Sequence, residues 1–290
     1  MRKKVGWLLA SVMLLSAAAL GGCSGSEKVT AESLVKEANE NMEKAKSFAG
    51  DLDMDMSMAI SSEGVTMDMD MGMDGTFECT TDPEIFHMSG TMDMSLLGLS
   101  MDMDMYTQID GDKAVSYVGV MGEWMKSEES VDENSMQEMY TIAGDGKDMT
   151  LAEETEKIDD REVYVLTSTI TGEEFQEIMG VMDSMTEGLG EMDWSAMQAD
   201  VTMKIYKDTV LPASVSIEMS DSGEGIESEG VVIKFKNMSL VMNYSDFDTI
   251  DSITIPDEAL SAPSVDSGDL LGEEESILES EIAEGETQAQ

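Results

Sequence analysis

Apolar and polar residues alternate one by one along much of the first half of the chain. "DLDMDMSM" runs from Asp51 to Met58, "TMDMDMGMDG" from Thr66 to Gly75, "TMDMS" from Thr91 to Ser95 and "SMDMDMY" from Ser100 to Tyr106. A period of two is the signature of a half-buried strand, whose successive side chains point to opposite faces. In a helix, at 3.6 residues per turn, the same pattern would smear methionine and aspartate around the axis. Disorder fits the charge but gives no reason for the parity to persist. Four apolar rows emerge: Phe48, Leu52, Met54, Met56, Met58 and Ile60; Val65, Met67, Met69, Met71, Met73 and Phe77; Phe86, Met88, Met92, Met94 and Leu96; Leu99, Met101, Met103, Met105 and Ile109. "SSEG" and Gly98 supply turns between them. The pattern predicts a meander of long antiparallel strands, methionines facing in and aspartates facing out.

The period changes on either side of this meander. Leu34, Val35, Ala38, Met42 and Ala45 recur at helical spacing. Thr30 is placed as an N-cap, and Val29 and Leu34 as a hydrophobic staple, so a helix is expected over 31–46. "AVSYVGV" and "EWMKS" read as a hairpin with Trp124 inside, and "NSMQEMYTI" as a short helix. "TLAEETEKIDDREVYVLTSTI" reads as a second hairpin turning at Asp159–Asp160. Thr171 and Glu174 form a capping box, and Phe175, Ile178, Met179, Met182 and Met185 line one face of a helix over 172–187 that Gly188 ends. Strands follow at 199–207 and 213–219. In the last strand, Val231, Ile233 and Phe235 share one parity, whereas Met238, Leu240, Met242 and Tyr244 share the other. A β-bulge near Lys236–Asn237 reconciles the two. "IPDEAL" closes the fold.

The ends of the chain carry different information. Arg2, Lys3 and Lys4 precede an apolar run from Val5 to Leu20, which reads as a secretory signal over 1–22. "LGGC" at Leu20–Cys23 resembles the lipobox of bacterial lipoproteins. That resemblance implies cleavage after Gly22, lipidation of Cys23 and attachment to the extracytoplasmic face of a cell membrane, through a tether of residues 23–30. From Ser261 to Gln290 the chain is acidic, without a base or an aromatic, and is expected to form a disordered tail. The mature protein would keep one cysteine besides Cys23, so no intramolecular disulfide is expected, and Cys79 reads as a small buried hydrophobe.

Composition narrows the partners. The 290 residues hold 62 acids against 16 Lys and Arg, a net charge of −46. Such a surface repels nucleic acid and anionic headgroups. No protein partner is legible.

Helix, long meander, hairpins, an inserted helix and closing strands, all behind a lipobox, resemble the lipid-carrier lipoproteins of the LolA, LolB and LppX/LprG type. The "ANENMEKAKSF" start, the Met-Asp strands and the "NYSDFDTIDSITIPDEAL" ending are similar to those of Met/Asp-rich, LolA-like Gram-positive lipoproteins. The resemblance covers roughly residues 31–260. It implies an α+β fold: a strongly curved antiparallel sheet, a half-barrel, with helices covering its concave face. It also implies an apolar cavity and a lipid or other apolar small molecule as ligand.

On that reading the cavity candidates are Met54, Met56, Met58, Met67, Met69, Met71, Met92, Met94, Met101, Met103, Met105, Trp124, Phe175, Met179 and Met182. Methionine is flexible and polarizable and moulds itself to irregular apolar partners, where branched residues make a stiffer wall. A plain core under the helices, in a structural or envelope module without cargo, explains the same rows. So does Cu(I) binding, because thioethers are soft ligands. Against a metal site, the rows run continuously, and the single histidine, His87, has outward parity. The aspartate rows, with Asp53, Asp55, Asp68, Asp70, Asp102 and Asp104, read as a solvated face. No cofactor, dedicated metal site or catalytic residue is expected: neither "GDGKD" nor "GMDGT" has the strand–loop–helix setting of a phosphate loop.

Overall fold

The alternating segments are strands. A computed structural model of the chain describes residues 29–62, 64–95, 98–131, 146–171, 198–220, 225–228 and 231–265. From Ala31 onward they belong to one unit. The signal segment, Cys23, the helices expected at "NSMQEMYTI" and 172–187, and the tail beyond Val265 lie outside the described residues.

Helix α1 spans Ala31–Met42 and leads into the meander: β1 Ser47–Ser62, β2 Val65–Thr81, β3 Glu84–Met94 and β4 Leu99–Asp110. Two shorter strands follow, β5 Lys113–Val120 and β6 Glu123–Ser130. Next come β7 Thr150–Leu151, β8 Glu156–Ile158, β9 Arg161–Thr171, β10 Gln198–Tyr206 and β11 Pro212–Ser220. β12 Ile226–Ser228, β13 Val231–Ser245 and a one-turn helix α2, Asp257–Leu260, complete the order.

All the strands join one open, curled antiparallel sheet, ordered β6-β5-β4-β3-β2-β1-β13-β11-β10-β9-β7, with β12 beside β13 and β8 beside β9. Asp159 and Asp160 both take positive φ between the paired Ile158 and Arg161. That backbone matches the twist of a two-residue hairpin, as their sequence position predicts. The bulge in the last strand falls where the parity breaks: Ser57 pairs with Asn237 and Met58 with Phe235, so Lys236 is the extra residue.

Why α1 forms where it does is plain from its buried stripe. Leu34, Val35, Ala38 and Met42 share a cluster with Phe48, Phe77, Leu166, Ile205, Val215 and Tyr244 of the sheet. Burying each large side chain is worth about 1.5–3 kcal/mol. The helix stops at Met42, four residues short of the expected end, and Ala45 is buried in the turn that follows. Leu34 is buried, whereas Val29, the expected staple partner, is 45% exposed. Cys79 is fully buried in the same cluster, as its apolar reading requires.

The opposite face carries a second core that strand parity does not announce. Ile85, Tyr106 and Tyr117 sit among the outward-facing positions. They are buried by Ile253, Ile255 and Ala259, with Trp124, Val115 and Ile250 at the margin. The C-terminal segment thus packs across the outer side of β3–β6. It then hydrogen-bonds along the edge of β6: Lys126 N–H donates to Pro263 O at 3.0 Å and Val265 N–H to Lys126 O at 2.8 Å. This covers part of an edge strand that would otherwise offer free backbone groups. The chain therefore stays attached through Val265, past the expected start of the tail at Ser261.

Candidate functional site

The register decides what the methionine rows build. Met54 pairs with Met73 and Met56 with Met71 across β1–β2, while Met73 pairs with Met92 and Met71 with Met94 across β2–β3. Met92 and Met88 continue onto Met101 and Met105 of β4, and Met56 continues onto Met238 of β13. Met238 in turn pairs with Met219 of β11. Because side chains alternate along each strand and partners share a face, all of these lie on one side of the sheet. Met219, Met238 and Met242 belong to this face although they are absent from the expected set. Their strand parity was the signal available.

This face changes character along its length. Under α1 it is aromatic: Phe77 meets Phe48 edge-on at 6.3 Å and Tyr244 at 5.5 Å between ring centroids. Away from α1 it becomes methionine. Met58, Met73 and Met101 are buried, whereas Met54, Met56, Met69, Met71, Met92, Met94, Met103 and Met105 are only half-buried. At the end nearest the β1–β2 and β3–β4 turns, Met67 and Leu99 are exposed. Glycine shapes the face too. Gly75 and Gly90 oppose each other across β2–β3, and a Cβ on Gly90 would come within 2.4 Å of Asp74 O. Only two glycines let the strands approach and bend this closely.

Trp124 is a correction. It pairs with Gly119, while Val118 pairs with Met105 and Met125. Trp124 therefore lies on the aspartate face, over Gly119 and 5.9 Å from the Tyr106 ring. The reason is local: Gly119 has no Cβ, so the indole of its strand partner can lie flat over it and become half-buried on the outer face. Phe175, Met179 and Met182 lie outside the described residues.

On the aspartate face, the register keeps like charges apart. Asp55 and Asp93 both face Gly72, Asp51 faces Thr76 and Asn243, and Asp104 faces Ser89. Ser57 Oγ–H donates to Asp70 at 2.6 Å and Thr91 Oγ1–H to Asp102 at 3.2 Å. Lys236 of the bulge pairs with Asp68 at 2.7 Å. Among the described residues of β1–β4, Asp53 and Asp74 are the one pair of directly opposed acids. His87 lies on this face, as its parity requires. Its ring stacks on Tyr106 at 4.2 Å, Nε2 lies 2.7 Å from Asp104 Oδ1, and Nδ1 lies 3.6 Å from Glu78. Burial, reinforced by Asp104 and Glu78, pushes the Tyr106 phenol up from its ordinary value.

Two surface depressions, of about 430 and 560 Å³, open on the aspartate side. Ser89, Thr91, Asp102, Asp104 and Trp124 line the first; Asp55, Ser57, Asp70, Asp74 and Asp93 line the second. Met103 also lines the first, and Met56, Met71, Met94 and Leu99 also line the second, so both mix polar and apolar groups and neither is the methionine-lined cavity expected. No group of three or more His, Cys, Asp or Glu among the described residues is arranged to hold a metal ion.

Comparison with solved structures finds distant likenesses. One is a DUF1329 family protein from Desulfovibrio piger, 8% identical over 78% of this chain and 96% of that one, with a TM-score of 0.26. Another is a LolA superfamily protein from Nitrosomonas europaea, 14% identical over 80% of this chain and 97% of that one, TM-score 0.20. A third is a β-barrel-like protein of the DUF1849 type from Brucella abortus, 12% identical over 68% and 98%, TM-score 0.25. At these scores none decides fold or ligand. No curated protein matches the chain. A family model matches residues 30–264, which is nearly all of the described structure, and the chain belongs to that family, a family of unknown function (DUF6612).

Proposed function

We propose that the protein is a membrane-anchored extracytoplasmic lipoprotein that binds a lipid or other apolar molecule against its methionine face. One observation carries the reading: a continuous apolar surface spans β1–β4 and β13, and most of its methionines are half-buried while most of the aspartates opposite are exposed. Apolar surface left in contact with water forgoes roughly 25 cal/mol per Å². A ligand that covers the face recovers that energy, and flexible thioether side chains fit chains of variable shape. The aspartate face and the acidic excess hold the body away from anionic headgroups, leaving Cys23 as the attachment. The described residues of the face are apolar and suited to holding a ligand, and binding without catalysis is the reading.

The test is native mass spectrometry of the protein purified from its own host. A non-covalent lipid adduct that disappears on denaturation is expected, and Met71→Asp/Met94→Asp, which places charge on the face, should abolish it. A mass without adduct in every preparation overturns the reading and leaves a structural module without cargo.

A further inference from the structure

We propose that the paired methionines of β1, β2 and β3 form a binding site for a soft monovalent metal ion, Cu(I), independently of any apolar ligand. The candidate residues are Met54, Met56, Met71, Met73, Met92 and Met94. The sequence shows continuous rows, which argue against a local site. The register shows something else: the rows stack into a block two residues deep and three strands wide, every member directly opposite another. Along a strand, same-face neighbours are about 6.8 Å apart, and opposed residues on neighbouring strands have Cβ atoms about 5 Å apart. The centre of each four-methionine rectangle is then about 4 Å from every Cβ, within reach of an unbranched side chain with three rotatable bonds.

Burial favours the same block. Met73 is buried at 7% exposure and the other five are half-buried, so an ion there would be shielded yet reachable. Gly72 separates Met71 from Met73 on the opposite face and leaves room beside Asp55 and Asp93. The choice of residue also matters. Isoleucine would cover an apolar ligand with a stiffer wall and form better strands, whereas only the thioether sulfurs coordinate a soft cation. The net charge of −46 raises the local concentration of any cation around the molecule.

The experiment is Cu(I) titration of the full chain under reducing conditions, against a chromophoric Cu(I) chelator, in a Cys23→Ala/Cys79→Ala background that removes both thiols. Binding at least tenfold tighter than that of free methionine is expected. Because a thioether carries no proton to lose, the affinity should be unchanged between pH 7.5 and 5.5, unlike that of a histidine or thiolate site. Met73→Leu/Met92→Leu should weaken it tenfold or more, and Met121→Leu, at a 76% exposed turn position, should leave it unchanged. Met-to-Leu exchange preserves volume and apolarity, so the fold and any lipid adduct should survive in the pair variant. Affinity equal to that of free methionine, a marked loss toward pH 5.5, or identical affinities for the pair variant and Met121→Leu would each overturn the site without touching the apolar-ligand reading.

Discussion

Tyr244 shows how a single residue couples the sheet to its solvent. It is buried with Phe48 and Phe77 in the cluster that α1 closes. Burial pushes its phenol well above the ordinary value of 10.0. The folded protein therefore keeps a proton that the unfolded chain releases once the pH passes 10. Stability from this group is fully present below that pH and declines above it, by up to about 1.4 kcal/mol per pH unit. Tyr106 adds to the same slope. Urea unfolding at pH 9.5 and 11 should show wild type losing stability more steeply than Tyr244→Phe. Equal losses would mean that the Tyr244 phenol ionises within the folded state.

At the scale of the element, the last strand depends on its extra residue. Lys236 stands unopposed between the Ser57–Asn237 and Met58–Phe235 pairs. Deleting it would restore a regular ladder and send either Phe235 or the Met238–Tyr244 run to the wrong face, since a one-residue slip inverts every side chain. Deletion is expected to abolish the cooperative thermal transition seen by circular dichroism. Lys236→Ala keeps the residue count and loses only the exposed ion pair with Asp68, so it should cost no more than about 1 kcal/mol. The aspartate rows follow the same logic of register. Interleaving them with Gly, Ser, Thr and Asn spares the strands most of the repulsion that their composition suggests.

Across the whole molecule, the acidic excess remains, and 62 acids against 16 bases oppose compaction. Salt screens that repulsion over about 10 Å at 0.1 M. Raising NaCl from 0.02 to 0.3 M should stabilise the fold by about 1 kcal/mol or more, a rise in Tm of about 2–4 °C for a domain of this size. A melting temperature that falls with salt would show instead that ion pairs such as Arg161 with Asp208, at 2.6 Å, and Lys236 with Asp68 outweigh the general repulsion.

Parity along the chain determined the long strands, the separation of methionine from aspartate, the bulge at Lys236 and the turn at Asp159–Asp160. Each is a local consequence of side-chain alternation or turn chemistry, which a single segment expresses by itself. Helix α1 was equally legible because its apolar stripe has its own period. Tertiary structure decided which methionines oppose one another, because register depends on the partner strand as much as on the segment. It also decided that the Ile250–Val265 segment crosses to the outer face. Tyr106, Tyr117 and Trp124 occupy positions of outward parity there, and parity assigns a side of the sheet without saying what will cover it.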